Sequence, residues 1–351
     1  MQSARQRAVI QTWLLLSAVL PLFACQRSPT PVTATPVKPS ARVQVEAADD
    51  GLQVAFHGGA VLADSLAKVA DWSRVRLLRI QECDSIDRQL WDKIRAATEL
   101  RKLDLIRVPV SDEDLQNFSQ CTQLEELLLA HTKVTGAGLR HLGNTNLKRL
   151  AIHSRSVTQE GLQQLKVLQK LEALEIHCPE LQMSDLASLG ELKQLQSLDA
   201  GRTPLGPNGL QVLEGLPHLR VLALNARGMD DAQLAIVNSL PELTDLELAG
   251  AAITDEGLKQ LRCPKLRRLS LDACIQITDA GLYNLNGVPE LEELLLMGSS
   301  VHGEDLLGLA ASGLFKLRRV FVTAEQFRGG NQSIEQLREK LPECEIIILR
   351  G

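Results

Sequence analysis

Residues 266–285 read LRRLSLDACIQITDAGLYNL and contain every feature of a unit that recurs along most of the chain. Leu269 and Leu271 alternate with polar residues, which is the pattern of a half-buried strand. After a turn, Leu282 and Leu285 stand three residues apart, as on one face of a short helix. The stretch therefore predicts a strand, a turn and a helix in quick succession.

The unit recurs at intervals of 23 to 26 residues, and a sustained period of this length indicates a repeat architecture. One unit cannot bury its apolar face alone, so neighbouring units must stack and share one continuous core. We therefore predict an α/β solenoid with a parallel sheet on its concave side and short helices on its convex side. The units begin at Val75, Leu100, Leu124, Leu147, Leu171, Leu195, Leu219, Leu243, Leu266, Leu291 and Leu317.

The pattern L-x-x-L-x-L followed by I-T-D-x-G-L resembles the leucine-rich repeat family, and in particular its cysteine-containing type, known from ribonuclease-inhibitor-like proteins. Residues 253–258 and 277–282 match the second half of the pattern in full. The resemblance covers approximately residues 51–351 and implies a horseshoe-shaped leucine-rich-repeat solenoid. It implies little about function, because one fold serves many partners.

The composition and the missing motifs argue against several functional classes. Aromatic residues make up only 3% of the chain, so flat platforms for nucleic-acid bases are scarce. The formal net charge is −5, the opposite of the sign expected for a general nucleic-acid-binding protein. The sequence contains no nucleophile elbow, phosphate-binding loop, dinucleotide-binding or zinc-protease motif. We therefore predict no enzyme activity, no catalytic residue, no cofactor and no nucleic-acid partner.

The chain contains seven cysteines, and no two of them have the C-x-x-C spacing typical of zinc or thioredoxin-like sites. Cys83 and Cys274 occupy the same repeat position, shortly after a strand. We expect both to be buried structural thiols rather than reactive ones.

The N-terminus has the features of an export signal. Two arginines precede a mostly apolar run that is shorter than a transmembrane helix requires, which predicts a signal peptide over residues 1–24. Residues 22–25 read Leu-Phe-Ala-Cys and resemble the lipobox of bacterial lipoproteins, which implies that Cys25 becomes a lipidated first residue. Gln26 then implies the outer membrane or its periplasmic side. An ordinary cleavable signal and an uncleaved anchor are the alternatives.

The rest of the chain divides into four predicted parts. Residues 25–47 carry the lipidated cysteine and a tether rich in proline and threonine, a composition that favours extended backbone. Residues 48–74 form a degenerate N-terminal cap repeat, and residues 75–325 form the regular repeats. Residues 326–351 form the C-terminal cap, which ends in a final strand over the mostly apolar residues 344–349.

The concave face presents one residue of each strand position in every repeat, and we expect a partner to bind there. The middle of this face is acidic, whereas both of its ends are rich in arginine and lysine. A protein partner with a basic segment would complement the middle. The residues that we predict to bind the partner are Glu126, Arg149, His153, Glu175, His177, Asp199, Asp245 and Glu247.

The sequence thus favours a non-enzymatic protein-interaction module that is displayed at the cell envelope and held to a membrane by a lipid at Cys25. Two alternatives stay open. The concave face could be a solvated, charged sheet with no partner preference. The protein could instead be a structural or adhesive envelope component without a discrete ligand.

A further alternative concerns two histidines. His153 and His177 occupy the same concave position in adjacent repeats, so their rings can touch across strands about 4.8 Å apart. Glu175 lies on the same face, and His131 is one position further along in the preceding repeat. Two histidines and a carboxylate could hold a metal, form a pH-sensitive patch, or serve an enzyme or enzyme subunit. Without a third fixed ligand we predict no metal site, and ordinary surface histidines are the remaining interpretation.

Overall fold

The computed structural model describes residues 40–48, 51–302, 306, 309, 313–326 and 331–349. The predicted signal peptide, the lipidation site Cys25 and the first part of the predicted tether lie outside these residues.

Almost every repeat contributes one strand to a single 14-stranded sheet. In that sheet β1 pairs antiparallel with β2, and all later neighbours pair in parallel, while β3 and β5 form a separate small ladder. The strands of the described residues are β1 Arg42–Ala48, β2 Gly51–His57, β3 Ala60–Val61, β4 Val75–Gln81, β5 Ser85–Ile86, β6 Lys102–Ile106, β7 Glu126–Ala130, β8 Arg149–His153, β9 Ala173–His177, β10 Ser197–Pro204, β11 Val221–Asn225, β12 Asp245–Ala249, β13 Arg268–Ser270, β14 Glu293–Leu295, β15 Arg319–Thr323 and β16 Glu345–Leu349.

The two faces of the sheet differ because side chains alternate along each strand. In β12, Leu246 and Leu248 are fully buried, whereas Asp245 and Glu247 reach solvent on the other face. The strand register aligns Leu246 with Leu222 of β11, and leucines of successive repeats therefore stack into ladders. Burying one such side chain contributes about 1.5–3 kcal/mol. We call the face opposite these leucines the open face.

The segments between the strands are short helices of α or 3-10 type. None of the helices in the described residues is long and apolar enough to cross a membrane. The α-helices are α1 Ala63–Leu66, α2 Gln89–Ala96, α3 Gln159–Leu162, α4 Asp231–Val237, α5 Asp255–Gln260, α6 Asp279–Leu282 and α7 Asn331–Lys340. The 3-10 helices are Trp72–Arg74, Asp114–Phe118, Ala137–Leu142, Gln163–Val167, Met183–Glu191, Gly209–Gly215, Leu285–Gly287 and Ala324–Gln326.

Helix starts are tied to the neighbouring repeat by a recurring Thr–Asp pair. The Thr254 hydroxyl accepts a hydrogen bond from the Glu256 N–H and so caps α5. Asp231 of the preceding repeat accepts hydrogen bonds from the N–H and the hydroxyl of Thr254, at 2.8 and 2.6 Å. Asp255 accepts the same two bonds from Thr278. Each pair therefore caps one helix and joins two repeats.

Part of the predicted tether belongs to the sheet. Residues 42–47, which we predicted as tether, instead lie in β1. Val43 packs against the core there, and β1 pairs along its whole length with β2 and covers that strand's free edge. At the other end, the structure has the predicted final strand as β16, which pairs in parallel with β15.

The described cysteines are all buried and unpaired. Cys83 and Cys274 are at most 1% exposed, which confirms that both are buried. The Cys274 thiol donates to the carbonyl of Leu248 in the preceding repeat at 3.1 Å, so it joins two neighbouring repeats within the core. Burial raises the pKa of each described thiol to about 11, so none is a ready nucleophile.

Candidate functional site

The strand register places all eight predicted partner-binding residues on the open face, in three parallel rows. One row contains Glu126, Arg149 and Asp245, the next contains Glu175, Asp199 and Glu247, and the third contains His153 and His177. These side chains are carried by β7 to β12, so rigid strands hold them rather than loops.

At the N-terminal side of the open face, charged residues pair across neighbouring strands. The Arg79 guanidinium donates two hydrogen bonds to Asp104, which is only 2% exposed. Glu126 lies between Lys102, at 3.1 Å, and Arg149, at 2.5 Å. The arginines and lysine that made this end basic in the sequence are therefore matched by carboxylates.

Pairing also occurs toward the C-terminal side of the open face. Arg268 lies 3.5 Å from Glu247, and Arg319 contacts Glu293 on the adjacent strand. Burial raises the pKa of the Glu247 carboxyl, Arg268 opposes that effect, and the nearby charge of Asp199 adds to it. Glu247 is therefore a carboxylate whose ionisation the fold disfavours.

Between these two regions lies the histidine cluster, which consists of His153, Glu175, His177 and Asp199. The two imidazole rings stack with their centroids 4.4 Å apart and their planes at 18°. Glu175 Oε1 lies 2.8 Å from His153 Nε2 and 3.4 Å from His177 Nδ1. The opposite nitrogen of His177, Nε2, lies 3.3 Å from Asp199 Oδ1.

The histidine cluster is more buried than an ordinary surface patch. The side chains of His177 and Glu175 are only 8% and 10% exposed, and that of His153 is 20% exposed. Burial alone would raise the pKa of the Asp199 carboxyl, but the hydrogen bond and charge of His177 and the Gly201 N–H outweigh it and lower that pKa. The ionised form of Asp199 is thus favoured, and it accepts hydrogen bonds from its neighbours.

The backbone beside the histidine cluster is irregular. The register between β10 and β11 shifts between Ala200 and Pro204, which is a bulge of the kind often found at binding sites. Thr203, inside the bulge, donates to the Ile176 carbonyl and accepts from the Cys178 N–H. The bulge therefore fastens the end of β9, which carries His177.

A third histidine lies next to the cluster. His131 has a left-handed backbone conformation, with φ of 54°, and its N–H donates to the His153 carbonyl at 2.7 Å. Burial lowers the pKa of the His131 imidazole, and the charge of Arg107 lowers it further. No hydrogen bond joins its ring to the cluster in the described residues, so His131 is a neighbour of the cluster rather than a member.

All four residues of the histidine cluster are among the predicted partner-binding residues, but their mutual contacts were not predicted. From the sequence the two histidines lacked a third fixed ligand, whereas the structure places the Glu175 carboxylate against both rings and Asp199 behind one of them. Glu175 and Asp199 occupy the same row beside the histidines, and this shared row was the sequence signal for their contacts with the two rings.

Two open clefts lie on the helix-covered side of the sheet. One, of about 340 Å³, lies between α2 and the 3-10 helix Asp114–Phe118 and includes Trp91 and Arg95 in its lining. The other, of about 620 Å³, is lined by residues of α4 and of the loop before Gly209. Neither cleft is lined by a residue of the histidine cluster.

No protein-family model matches the chain, and no curated protein matches it. Solved structures do resemble it. The structure of Rad7 with Elc1 from yeast matches with a TM-score of 0.52 and 17% identity, over 78% of this chain and 75% of that one. The chain has the fold of a leucine-rich-repeat solenoid. The predicted fold class is therefore confirmed by the parallel sheet, the leucine ladders and this likeness.

Two further solved structures have the same identity to this leucine-rich-repeat chain and lower TM-scores. An internalin from Listeria monocytogenes has a TM-score of 0.48 and 17% identity, and the match covers 73% of this chain and 82% of the internalin. A leucine-rich-repeat protein of Leptospira interrogans has a TM-score of 0.40 and 17% identity, over 83% and 88% of the two chains.

Proposed function

We propose that this protein is a non-enzymatic protein-binding module whose partner lies on the open face between β7 and β13. The observation that carries this proposal is the alignment of eight charged or imidazole side chains in three rows on rigid strands. Strands hold such groups more precisely than loops do. A broad row of polar side chains suits a macromolecule, whereas small ligands favour enclosed and mostly apolar pockets.

The charges of the open face favour a partner with a basic segment. Near the middle of the face, Asp245 and Glu247 each retain part of their surface in solvent, and so does Glu172, the residue directly before β9. The bases at both ends have acidic neighbours on adjacent strands. A basic segment along the middle would therefore meet acidic side chains, and such charge complementarity speeds association and fixes register more than it adds affinity.

The yeast neighbour supports the use of this fold as a protein-binding surface. Its structure is a complex of Rad7 with a second protein, Elc1. At 17% identity this likeness concerns the fold, and the partner of the present chain has to be found by experiment.

An affinity capture with matched charge reversals tests the proposal. The wild-type chain is compared with an open-face variant that carries Glu172→Lys, Asp245→Lys and Glu247→Lys. The control carries Glu160→Lys, Glu191→Lys and Glu256→Lys, three exposed glutamates on the helix-covered side. We expect a partner that the wild type and the control capture and that the open-face variant loses.

A different pattern of capture would contradict the proposal. If only the helix-side control lost the partner, the interface would lie on the helices and not on the open face. Capture of no partner by any bait would favour a structural or adhesive role, for which the sheet offers two edges. In the described residues β1 and β16 each have one neighbouring strand, and unpaired strand edges can template assembly with other chains.

We also propose that the protein is exported and held at a bacterial membrane by a lipid on Cys25, on the outer membrane or its periplasmic side. The lipobox-like residues 22–25 support this proposal. Replacement of the cysteine, Cys25→Ala, should move the protein from the membrane fraction to the soluble fraction after cell lysis. An unchanged membrane fraction would exclude lipid anchoring at this residue, and a protein that stays in the cytoplasm would exclude export.

A further inference from the structure

We propose that the histidine cluster binds one divalent transition-metal ion of the Zn²⁺ class. His153, Glu175 and His177 are the ligands, and Asp199 is a positioning residue. The three ligand side chains offer donor atoms that all lie within 4.8 Å of one another. The inference goes beyond the proposed protein-binding function and does not rest on it, because it concerns four residues whose geometry is independent of any partner.

The two carboxylates around His177 favour a cation between them. A neutral imidazole carries one N–H and one lone pair. His177 Nε2 faces Asp199 Oδ1 at 3.3 Å, and Nδ1 faces Glu175 Oε1 at 3.4 Å. Whichever nitrogen holds the hydrogen, the other directs its lone pair at an acceptor oxygen. A metal ion between Nδ1 and Glu175 replaces this repulsion with two bonds.

The distance between Glu175 and His177 suits a zinc ion. Zinc binds imidazole nitrogen and carboxylate oxygen at about 2.0–2.2 Å, and tetrahedral geometry then separates the ligand atoms by about 3.3–3.5 Å. Glu175 Oε1 lies 3.4 Å from His177 Nδ1, within this range, and 2.8 Å from His153 Nε2, which is shorter. The ion therefore requires the Glu175 carboxylate and the His153 ring to move apart.

Asp199 lies behind His177, where its carboxylate can orient this metal ligand. Histidines that bind metals almost always donate their other N–H to a carboxylate or carbonyl, which fixes the tautomer. Asp199 Oδ1 lies at hydrogen-bond distance from Nε2 of His177 and is itself held by the Gly201 N–H at 2.9 Å. Donation of the Nε2 hydrogen to Asp199 leaves Nδ1 free to bind a metal.

Binding requires one imidazole to leave the stack. A metal ion lies in the plane of each imidazole ring that binds it. The two rings are stacked with their planes at 18°, so one nearby ion cannot lie in both planes. His177 is 8% exposed and held by Asp199, whereas His153 is 20% exposed. His153 is therefore the ring that turns, a rotation about χ2 that costs little because this torsion is broad.

The donor set selects the class of cation. Two imidazoles and one carboxylate suit Zn²⁺ and related transition metals, whereas Ca²⁺ and Mg²⁺ prefer oxygen ligands. Thiolates do not enter the site, because Cys178, the residue after His177, is buried with a pKa raised to about 11. Three protein ligands leave a fourth position of a tetrahedral site to water.

Calorimetric titration of the purified full chain with ZnCl₂, after treatment with a chelator, tests the proposal. We expect one Zn²⁺ per chain for the wild type. Asp199→Ala should weaken binding about 10–100-fold, the usual cost of removing the group that holds a metal-binding histidine. His153→Gln and His177→Gln should each weaken it further. The matched control His131→Gln removes the neighbouring imidazole, and it should bind Zn²⁺ as the wild type does.

A second measurement needs no substitution and therefore does not depend on the folding of a variant. Co²⁺ prefers similar donors and reports its ligands in its visible absorption. We expect a spectrum of nitrogen and oxygen ligation without a thiolate charge-transfer band. In NMR spectra of ¹⁵N-histidine-labelled wild type, Zn²⁺ should shift the ring nitrogens of two of the seven histidines.

Several results would overturn the proposal. One is the absence of stoichiometric Zn²⁺ binding by the wild type. Equal losses in His131→Gln and His177→Gln would place the metal elsewhere. A thiolate band in the Co²⁺ spectrum would assign binding to cysteine. A shift of a single histidine would exclude a site shared by His153 and His177.

Discussion

The buried and open faces of the same strands follow opposite rules. On the buried face, equivalent positions of β11, β12 and β13 hold Leu222, Leu246 and Leu269, all fully buried. One position along, on the open face, the same strands hold Ala223, Glu247 and a serine. Stacking requires the same kind of side chain at the buried position of every repeat, whereas the residue type at the open position can vary. The repeated face therefore builds the fold, and the varied face is where we propose that the partner binds.

The largest expected effect tests this difference within one strand. Leu222 is fully buried in β11, and Val221 beside it lies on the open face. Leu222→Ala should lower the free energy of unfolding by about 2–5 kcal/mol, because it leaves a cavity between stacked repeats. Val221→Ala should cost far less. Denaturant titration measures both, and equal losses would contradict the division between the two faces.

A smaller effect concerns the charge pairs of the open face. Asp104 is nearly inaccessible and depends on Arg79 for two hydrogen bonds. Arg79→Met should cost about 1–3 kcal/mol, because it leaves a buried acceptor without its partner. The control Arg107→Met breaks an exposed pair with Glu82, and such pairs are worth about 0–1 kcal/mol.

The double variant Arg79→Met/Asp104→Leu completes this second comparison. It should recover most of the stability that Arg79→Met loses, because no buried charge is then left unpaired. If the double variant were as unstable as the single one, the loss would come from packing of the arginine stem and not from the charge.

The sequence predicted the buried face well because periodicity encodes it directly. The first leucines of the repeats, Leu100 and Leu124 among them, are fully buried as their spacing required. The three rows of the open face also followed from strand alternation and repeat length. The capping strand β1 was missed, because residues 42–47 follow a proline-rich stretch and β1 pairs antiparallel with β2, outside the repeat spacing that relates the other strands.

Contacts between side chains could not be read from the sequence. The repeat spacing brought His153 and His177 side by side, but it could not tell that Glu175 lies against both rings or that Asp199 holds one of them. Rotamers decide such contacts, and a row position does not specify them. The bulge after Asp199 was also hidden, since the repeat there keeps its usual length.

The smallest expected effects are pH-dependent and have opposite signs on the two sides of the sheet. Burial alone would raise the pKa of Asp112, but hydrogen bonds from Thr135 and Gly138 outweigh it and lower that pKa. The ionised carboxylate therefore stabilises the fold at pH values above the pKa that Asp112 has in the unfolded chain. That stability is lost as pH falls through the lowered pKa. Asp112→Asn should therefore destabilise the protein at neutral pH.

Glu247 should behave in the opposite way. Burial raises its pKa, so ionisation of Glu247 penalises the folded state at pH values above that raised pKa. Glu247→Gln should stabilise the protein at neutral pH, and this gain should disappear as pH falls below the unfolded-state value. Denaturation at several pH values measures both variants. A destabilising Glu247→Gln at neutral pH would contradict the assigned cost of its ionisation.

The most direct test of the open face as the recognition surface is carboxylate labelling with and without the captured partner. A carbodiimide and an amine modify accessible Asp and Glu side chains, and peptide mass spectrometry locates them. We predict that the partner reduces labelling of Glu172, Asp245 and Glu247 and leaves Glu160 and Glu256 unchanged. Protection of Glu160 and Glu256 with undiminished labelling of the other three would contradict the account.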